Sequence, residues 1–334
     1  MDYSLIHISE DTFRTEWDDF VLGNGKGTLF HTWRWLAGFL EKPELIIVTD
    51  RNGGIVGGMC LIARRKAGVR GFHVPPYTPY FGPVIHDFPD KKPVSALAQQ
   101  EKILNLLLEN LRHIPHCDFI LPPGTFSILP YYWSGFSIEV RTTFTIVPSI
   151  ESWENAMEKS PRSHLRKLRQ GVADGSIHVH VGHQPDEIFY QMIESVGKRK
   201  KFNARIELLK RVIDGLQQDD VMTVSVVDGC GELLAGDLCL IDPRRVYMLA
   251  SFRHPEWKSR CPNEHLLVRS ESIRLSYESG RVFDFEGSML RGVADFNRSL
   301  GAQPDPVYRV QRSKSLCFTT ARFIRRLMHE YGYR

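Results

Sequence analysis

Thr223-Val-Ser-Val-Val-Asp228, Gly229-Cys-Gly-Glu232, Leu233-Leu-Ala-Gly-Asp-Leu-Cys-Leu-Ile241 reads as two apolar, β-prone runs joined by a short polar turn. The same pattern stands earlier in the chain as Leu45-Ile-Ile-Val-Thr-Asp50, Arg51-Asn-Gly-Gly54, Ile55-Val-Gly-Gly-Met-Cys-Leu-Ile-Ala63. Setting Asp50 on Asp228 aligns the two without a gap: Gly53 falls on Gly231, Gly58 on Gly236, and Ile55-Val56 on Leu233-Leu234. Asn52-Gly53 is a strong hairpin signal, because both residue types tolerate positive φ. Two copies about 180 residues apart mark a duplicated unit, since solenoid repeats recur every ~20–50 residues.

The chain around these hairpins is long enough for two cores. It has 334 residues, 42% of them hydrophobic, with 19 Phe and 6 Trp. The net charge of +4 suits an anionic ligand such as CoA, a nucleotide-sugar or tRNA, and is too small to require nucleic acid. Six scattered cysteines show no zinc spacing, so no metal is expected; Cys60, Cys117 and Cys239 sit in apolar runs and read as buried hydrophobes. The N-terminal residues lack a basic region and an apolar core, and no apolar run approaches about 18 residues. No signal peptide and no membrane span are therefore expected, and a reducing, cytoplasmic setting follows.

The remaining elements alternate. A helix is expected near residues 10–22, with Phe13, Trp17 and Phe20 on one face, and another over 94–113, with Leu97, Ile103, Leu104, Leu107, Leu108 and Leu111 inward. Four prolines in 73–84 exclude both helix and central strand. They fix a rigid loop on which Tyr77 and Tyr80 either offer hydroxyls and flat faces to a ligand or pack over a sheet. Strands are expected at 117–121, 136–147 and 245–252, and Pro148-Ser149 is the expected boundary between domains 1–149 and 150–317. Ser152 is expected to cap a helix, and Ser160-Pro161 to open the next at N-cap and N1. In that helix Leu165, Leu168 and Val172 make the buried stripe, while Arg162, Arg166 and Arg169 align on another face. Such a row either forks onto phosphates and carboxylates or remains a solvated basic face.

Val282-Phe-Asp-Phe-Glu286-Gly-Ser288 reads as a buried strand whose acidic residues turn into a site or hold a loop together. Val293 to Leu300 is a short helix ended by Gly301.

These residues carry a family resemblance. Asp284-Phe-Glu-Gly-Ser288, followed by Gly292-Val293, Phe296, Arg298-Ser299 and Gly301, resembles the Fem-type branch of the GNAT acyltransferases, which includes the enzymes that build peptidoglycan cross-bridges. More loosely, the resemblance extends over residues 20–310. It implies an α/β fold of two GNAT-like units in tandem, each a mixed sheet flanked by helices, with a cleft between them. A GNAT unit contains the repeated hairpin as its second and third strands. The C-terminal residues 318–334 would be a basic helix packed on the first domain.

The resemblance also implies site residues. His31-Thr32-x-x-Trp35 is similar to the family's entry motif near the acceptor, and Arg199-x-x-Phe202 to an arginine that contacts phosphate or acceptor. Arg162 and Arg166 lie on the family's Arg-rich helix, and Tyr308 is a strand residue offered as an acid. Glu286 would be the base, with Asn297, Arg298 and Ser288 touching the carbonyl or leaving group. Three features depart from the pattern of ordinary GNAT or bridge-forming enzymes, the first being Gly38-Phe39 where bridge-forming members offer a lysine after the tryptophan. Asn297 stands where bridge-forming members place a lysine. The usual GNAT pyrophosphate loop, rich in glycine N–H groups, is here Arg260-Cys-Pro-Asn-Glu-His-Leu266, with Pro262 expected at helix position N1. The expected function is acyl transfer from acetyl-CoA or another acyl-CoA to an amine or hydroxyl of a cell-envelope or sugar-type acceptor. The alternatives are tRNA-dependent aminoacyl transfer of the cross-bridge type and a catalytically silent protein that binds an envelope precursor.

Overall fold

The computed structural model describes residues 3–8, 13–23, 26–66, 68–125, 127–149, 152–287 and 289–314. The chain divides into two compact units, Met1–Val140 with Val307 onward, and Arg141–Pro306.

Unit 1 begins with β1 (Ser4–Ile8), α1 (Arg14–Gly23) and α2 (Trp33–Ala37), followed by β2 (Pro43–Thr49), β3 (Ile55–Lys66), β4 (Val69–Phe72) and β5 (Val84–Ile85). Then come α3 (Pro93–Asn110), β6 (His116–Leu121) and α4 (Leu129–Trp133). β1 to β4 form successive antiparallel pairs, and β4 then meets β6 in parallel at Phe72↔Cys117. A parallel pair needs a crossover, and α3 supplies it. Ile103, Leu104, Leu107 and Leu108 of α3 are buried, whereas Leu97 lies at the exposed edge.

Unit 2 contains β7 (Ser137–Ile146), α5 (Lys159–Ala173), β8 (Ile177–Gly182), α6 (Glu187–Lys200), α7 (Ile206–Asp214), β9 (Val221–Asp228), β10 (Leu233–Ile241) and β11 (Arg245–Arg253). It continues through α8 (Trp257–Arg260), α9 (Glu264–Glu278), β12 (Val282–Asp284) and α10 (Arg291–Ser299). The last strand, β13 (Gln303–Ser313), belongs to unit 1 from Val307 on, and there its residues Tyr308 to Ser313 pair antiparallel with β6. In unit 2 the order is β8-β9-β10-β11 antiparallel, then β12 parallel to β11, with α9 as the crossover. Unit 1 has the same succession, so the duplication read from the hairpins extends to the whole sheet.

The hairpins agree in detail. Ile47 faces Gly58 and Ser225 faces Gly236, and each pair of strands slips by one residue next to its turn. Asp50 Oδ1 accepts from Asn52 N and Gly54 N; Asp228 Oδ1 accepts from Cys230 N and Glu232 N. Gly53 and Gly231 both have φ of 83°, while Asn52 is not left-handed. The turn therefore rests on the aspartate carboxylate and one glycine, not on a pair of positive-φ residues as Asn-Gly suggests.

The core of unit 2 lies between its sheet and α5 and α9. It is built from Val224, Val226, Leu234, Val246 and Phe283 on the strands, with Leu165, Leu168, Leu266, Leu267 and Ile273 on the helices. Three local expectations are corrected. Helix α5 starts at Lys159, so Pro161 lies within its first turn rather than at N1, and Val172 is exposed at the frayed end of the stripe. Ser152 caps only a short 3-10 turn, Trp153–Ala156. Pro262 precedes α9, because the chain first makes α8. Gly301 does end α10, with φ of 88° and its N–H donating to Arg298 O. The expected helix 318–334 lies outside the described residues.

Candidate active site

The β11–β12 pairing is short. It runs Arg245↔Val282, Val246↔Phe283 and Tyr247↔Asp284, then stops while β11 continues to Arg253. β12 leaves because its chain turns: Phe285 N still donates to Phe144 O, but Glu286 and Gly287 take φ of 58° and 70°. Only glycine fits at 287, where a Cβ would approach Thr142 O to 2.7 Å. β11 also bulges here, since Leu238 faces Ala250 and Cys239 faces Met248, leaving Leu249 opposite none. Bulges of this kind re-aim side chains beside sites.

Three buried side-chain polar atoms of unit 2 have no hydrogen-bond partner among the described residues: His265 Nδ1, Glu286 Oε1 and Asn297 Nδ2. Such atoms are usually satisfied in a folded protein, so each of the three is a candidate contact for a ligand. His265 lies in the first turn of α9, and the residues beside the other two reach that helix. The His265 ring lies 5.4 Å from Phe296, the neighbour of Asn297. Arg269, one turn beyond His265, lies over the ring of Phe285, the neighbour of Glu286, at 5.5 Å.

Electrostatics set the protonation of these groups. Glu286 keeps some exposed surface, but its carboxyl is enclosed; burial, and then the Asp284 charge, hold it well above the usual carboxylate range. Burial, with Arg253 and Arg269 beyond it, pushes His265 down to about 3, so its imidazole is neutral. Arg269 is committed to the sheet: Nε and Nη2 donate to Asp237 at 2.7 and 2.9 Å, and Ser272 Oγ adds a third bond. Arg253 has no carboxylate partner among the described residues. It stacks on Trp257 at 4.8 Å, and burial, then Arg269 and Arg199, lower it to about 10.

At the start of α9, Glu264 Oε2 accepts from Asn263 N at 3.0 Å. With Pro262 lacking an N–H, this helix end already holds an acid and makes a poor phosphate cradle.

The residues singled out from the sequence scatter more widely. Trp35 is wholly buried, edge-on to Phe30, and donates from Nε1 to Thr78 Oγ1, so it is a core residue. Tyr80 is buried against Phe30, whereas Tyr77 (φ 57°) and Tyr308 are half-buried, all in unit 1. In unit 2, Arg162 donates to Asn155 O and Met157 O, and Arg169 pairs with Glu154. Both therefore tie α5 to the 3-10 turn before it. Arg166 and Arg199 are exposed and have no acidic partner among the described residues. Arg298 is exposed and paired with Asp295 on its own helix, one position from buried Asn297. Ser288 lies outside the described residues.

His265, Arg253 and the Asp237–Arg269 pair were not legible as a site; the available hint was a histidine in the first turn of the crossover helix. Among the described residues no group of three or more His, Cys, Asp or Glu is arranged to hold a metal ion, and no helix is long and apolar enough to cross a membrane.

Residues 159–298 match the family model described as an acetyltransferase (GNAT) domain. Over more than nine-tenths of its length the chain is similar in fold to solved structures. FemX has 16% identity and a TM-score of 0.66, covering 91% of this chain and 96% of its own. A tandem GNAT protein from the clavulanic acid biosynthesis pathway has 10% identity and a TM-score of 0.52, covering 93% and 98%. L-PGS from Bacillus licheniformis has 11% identity and a TM-score of 0.58, covering 96% and 97%. No curated protein matches the sequence.

Proposed function

Starting from the membership of residues 159–298 in the GNAT acetyltransferase domain family, we propose that the protein is an acyltransferase. It moves an acyl group from a thioester or ester donor to an amine or hydroxyl of a cell-envelope or sugar-type acceptor. The observation that carries this is that His265, Glu286 and Asn297 each have a buried polar atom without a partner among the described residues, in the unit where β11 runs on past its last pairing with β12. A strand edge there can receive an extended, amide-bearing donor arm as an added strand. Acyl-CoA has such an arm. Its phosphates would be held by Arg253 and Arg199 rather than by the start of α9.

The chemistry follows from protonation. The acceptor nitrogen attacks the donor carbonyl, and Asn297 Nδ2 donates to the oxygen that gains charge. As the carbon–sulfur bond breaks, protonated Glu286 gives its proton to the leaving sulfur. The resulting carboxylate takes the proton released by the new amide nitrogen. The net change is thioester plus amine to amide plus thiol, and Glu286 ends as it began. The base expected from the sequence thus acts first as an acid. Arg166, exposed on α5, is carried as a contact for an anionic part of donor or acceptor.

The acid-filled start of α9 favours a second donor class, an aminoacyl ester on tRNA, whose affinity should fall steeply with salt. The deciding experiment is thiol release from acetyl-CoA with a panel of amino sugars and simple amines. Wild-type release that Glu286→Gln abolishes supports acyl-CoA. Absence of release with every acceptor, joined to salt-sensitive tRNA binding, moves the assignment to the second class.

A further inference from the structure

We propose that Asp284 is the positioning residue of this site, holding Glu286 in its left-handed conformation and aiming its carboxyl inward. The inference rests on the acyl-transfer proposal for its purpose, but on local geometry for its content. Asp284 is wholly buried at the end of β12. Thr143 Oγ1 donates to its Oδ1 at 2.6 Å, and Arg245 Nη1 reaches its Oδ2 at 3.3 Å. Oδ1 also accepts from Glu286 N at 2.9 Å, two residues on. The carboxylate is thus gripped by β7 and β11 and itself grips the backbone of Glu286.

That grip has work to do. A non-glycine residue in the left-handed region persists only where its surroundings over-determine it. Here Gly287 follows with the same sign of φ, pressed against Thr142 O, so the chain has one route. Glu286 could relax outward, where its carboxyl would be solvated; the Asp284 bond keeps the turn closed and Oε1 enclosed. The same carboxylate acts by charge. Among the groups around Glu286, Asp284 opposes its ionisation, Cys239 on β10 feels its charge, Arg269 on α9 is spent on Asp237, and Arg245 on β11 moderates Asp284. Asp305 and the Tyr247 hydroxyl also sense Asp284. One residue therefore fixes both where the Glu286 proton is and how firmly it is held.

The test is the infrared carbonyl band of protonated Glu286 in the full chain without substrate, identified by its loss in Glu286→Gln and followed against pH. Asp284→Asn keeps an oxygen for the Glu286 N–H and removes the charge. The midpoint should move down by on the order of one pH unit, with an unchanged circular dichroism spectrum. Arg245→Gln uncovers the Asp284 charge and should move the midpoint up; it carries the test alone if Asp284→Asn does not fold. An unmoved midpoint, or movement in the same direction in both variants, overturns the inference. Because the band needs no acyl donor, moved midpoints in a protein that transfers no acyl group would remove the proposed reaction and leave Asp284 in its role.

Discussion

Replacing Glu286 by Gln should make the protein more stable, increasingly so as the pH rises. Below the ordinary carboxylate value of 4.5 the folded and unfolded chains both hold the Glu286 proton, and the residue adds nothing to the pH dependence. Above it the unfolded chain ionises while burial and Asp284 keep the folded group protonated. The unfolded state then binds fewer protons than the folded one, so stability falls with pH. The slope is about 1.4 kcal/mol per pH unit for one proton, and it ends only when Glu286 itself ionises in the fold. Glutamine does not titrate and escapes the whole slope.

The assay is a set of thermal melts of both proteins at matched ionic strength between pH 5 and pH 8. For a unit of this size 1 kcal/mol moves the midpoint by about 2–4 °C, so the gap should widen by several degrees across the range. Other titrating groups are common to both proteins and cancel in the difference. A gap that stays flat with pH would show that Glu286 ionises in the fold as it does in the unfolded chain. The proton-donor step would then fail with it.

Three further outcomes follow from the same geometry. Gly287→Ala places a Cβ against Thr142 O in a left-handed backbone, so it should cost about 1–3 kcal/mol in urea unfolding and abolish any acyl transfer. Gly53→Ala and Gly231→Ala meet no neighbour within 4 Å and share φ of 83°, so each should cost a similar amount, about 1–2 kcal/mol, by the same measurement. Arg269→Met strands the buried Asp237 carboxylate and should cost about 3–5 kcal/mol, while adding Asp237→Leu should recover most of it.

The fold was legible where its information is local. Asp50 and Asp228 each carry their own turn, and the continuous apolar runs on either side make strands buried on both faces, so two hairpins sufficed to show the duplication. Glu286 and Asn297 could be singled out because a short stretch of sequence holds the motif that carries them. For Arg162 and Arg169 helical periodicity assigns a face but not what covers it; here the turn before α5 supplies the Asn155 and Met157 carbonyls and Glu154. Arg269 failed for a related reason. Helix α9 is enclosed almost all round, with Arg269, Ser270, Ser272 and Ser276 buried, yet its sequence resembles a surface helix. The partner that allows this, Asp237, is a strand residue 32 positions away, beyond any local pattern.

The duplication also bears on why the proposed chemistry belongs to one unit. Both sheets have a parallel joint after their fourth strand, β4 with β6 and β11 with β12. In unit 2 the chain leaves that joint through Phe285-Glu286-Gly287, which supplies a carboxyl, a left-handed turn and, among the described residues, an edge of β11 that β12 no longer pairs. In unit 1 it leaves through Pro122-Pro123-Gly124. Two prolines bring neither an acid nor an N–H, and Phe119 and Leu121 just before them are buried. The first joint instead carries the buried, stacked His73–His116 pair. The second keeps a raised carboxyl, a neutral imidazole and an orphaned amide, costs a folded protein accepts where they serve a bound ligand.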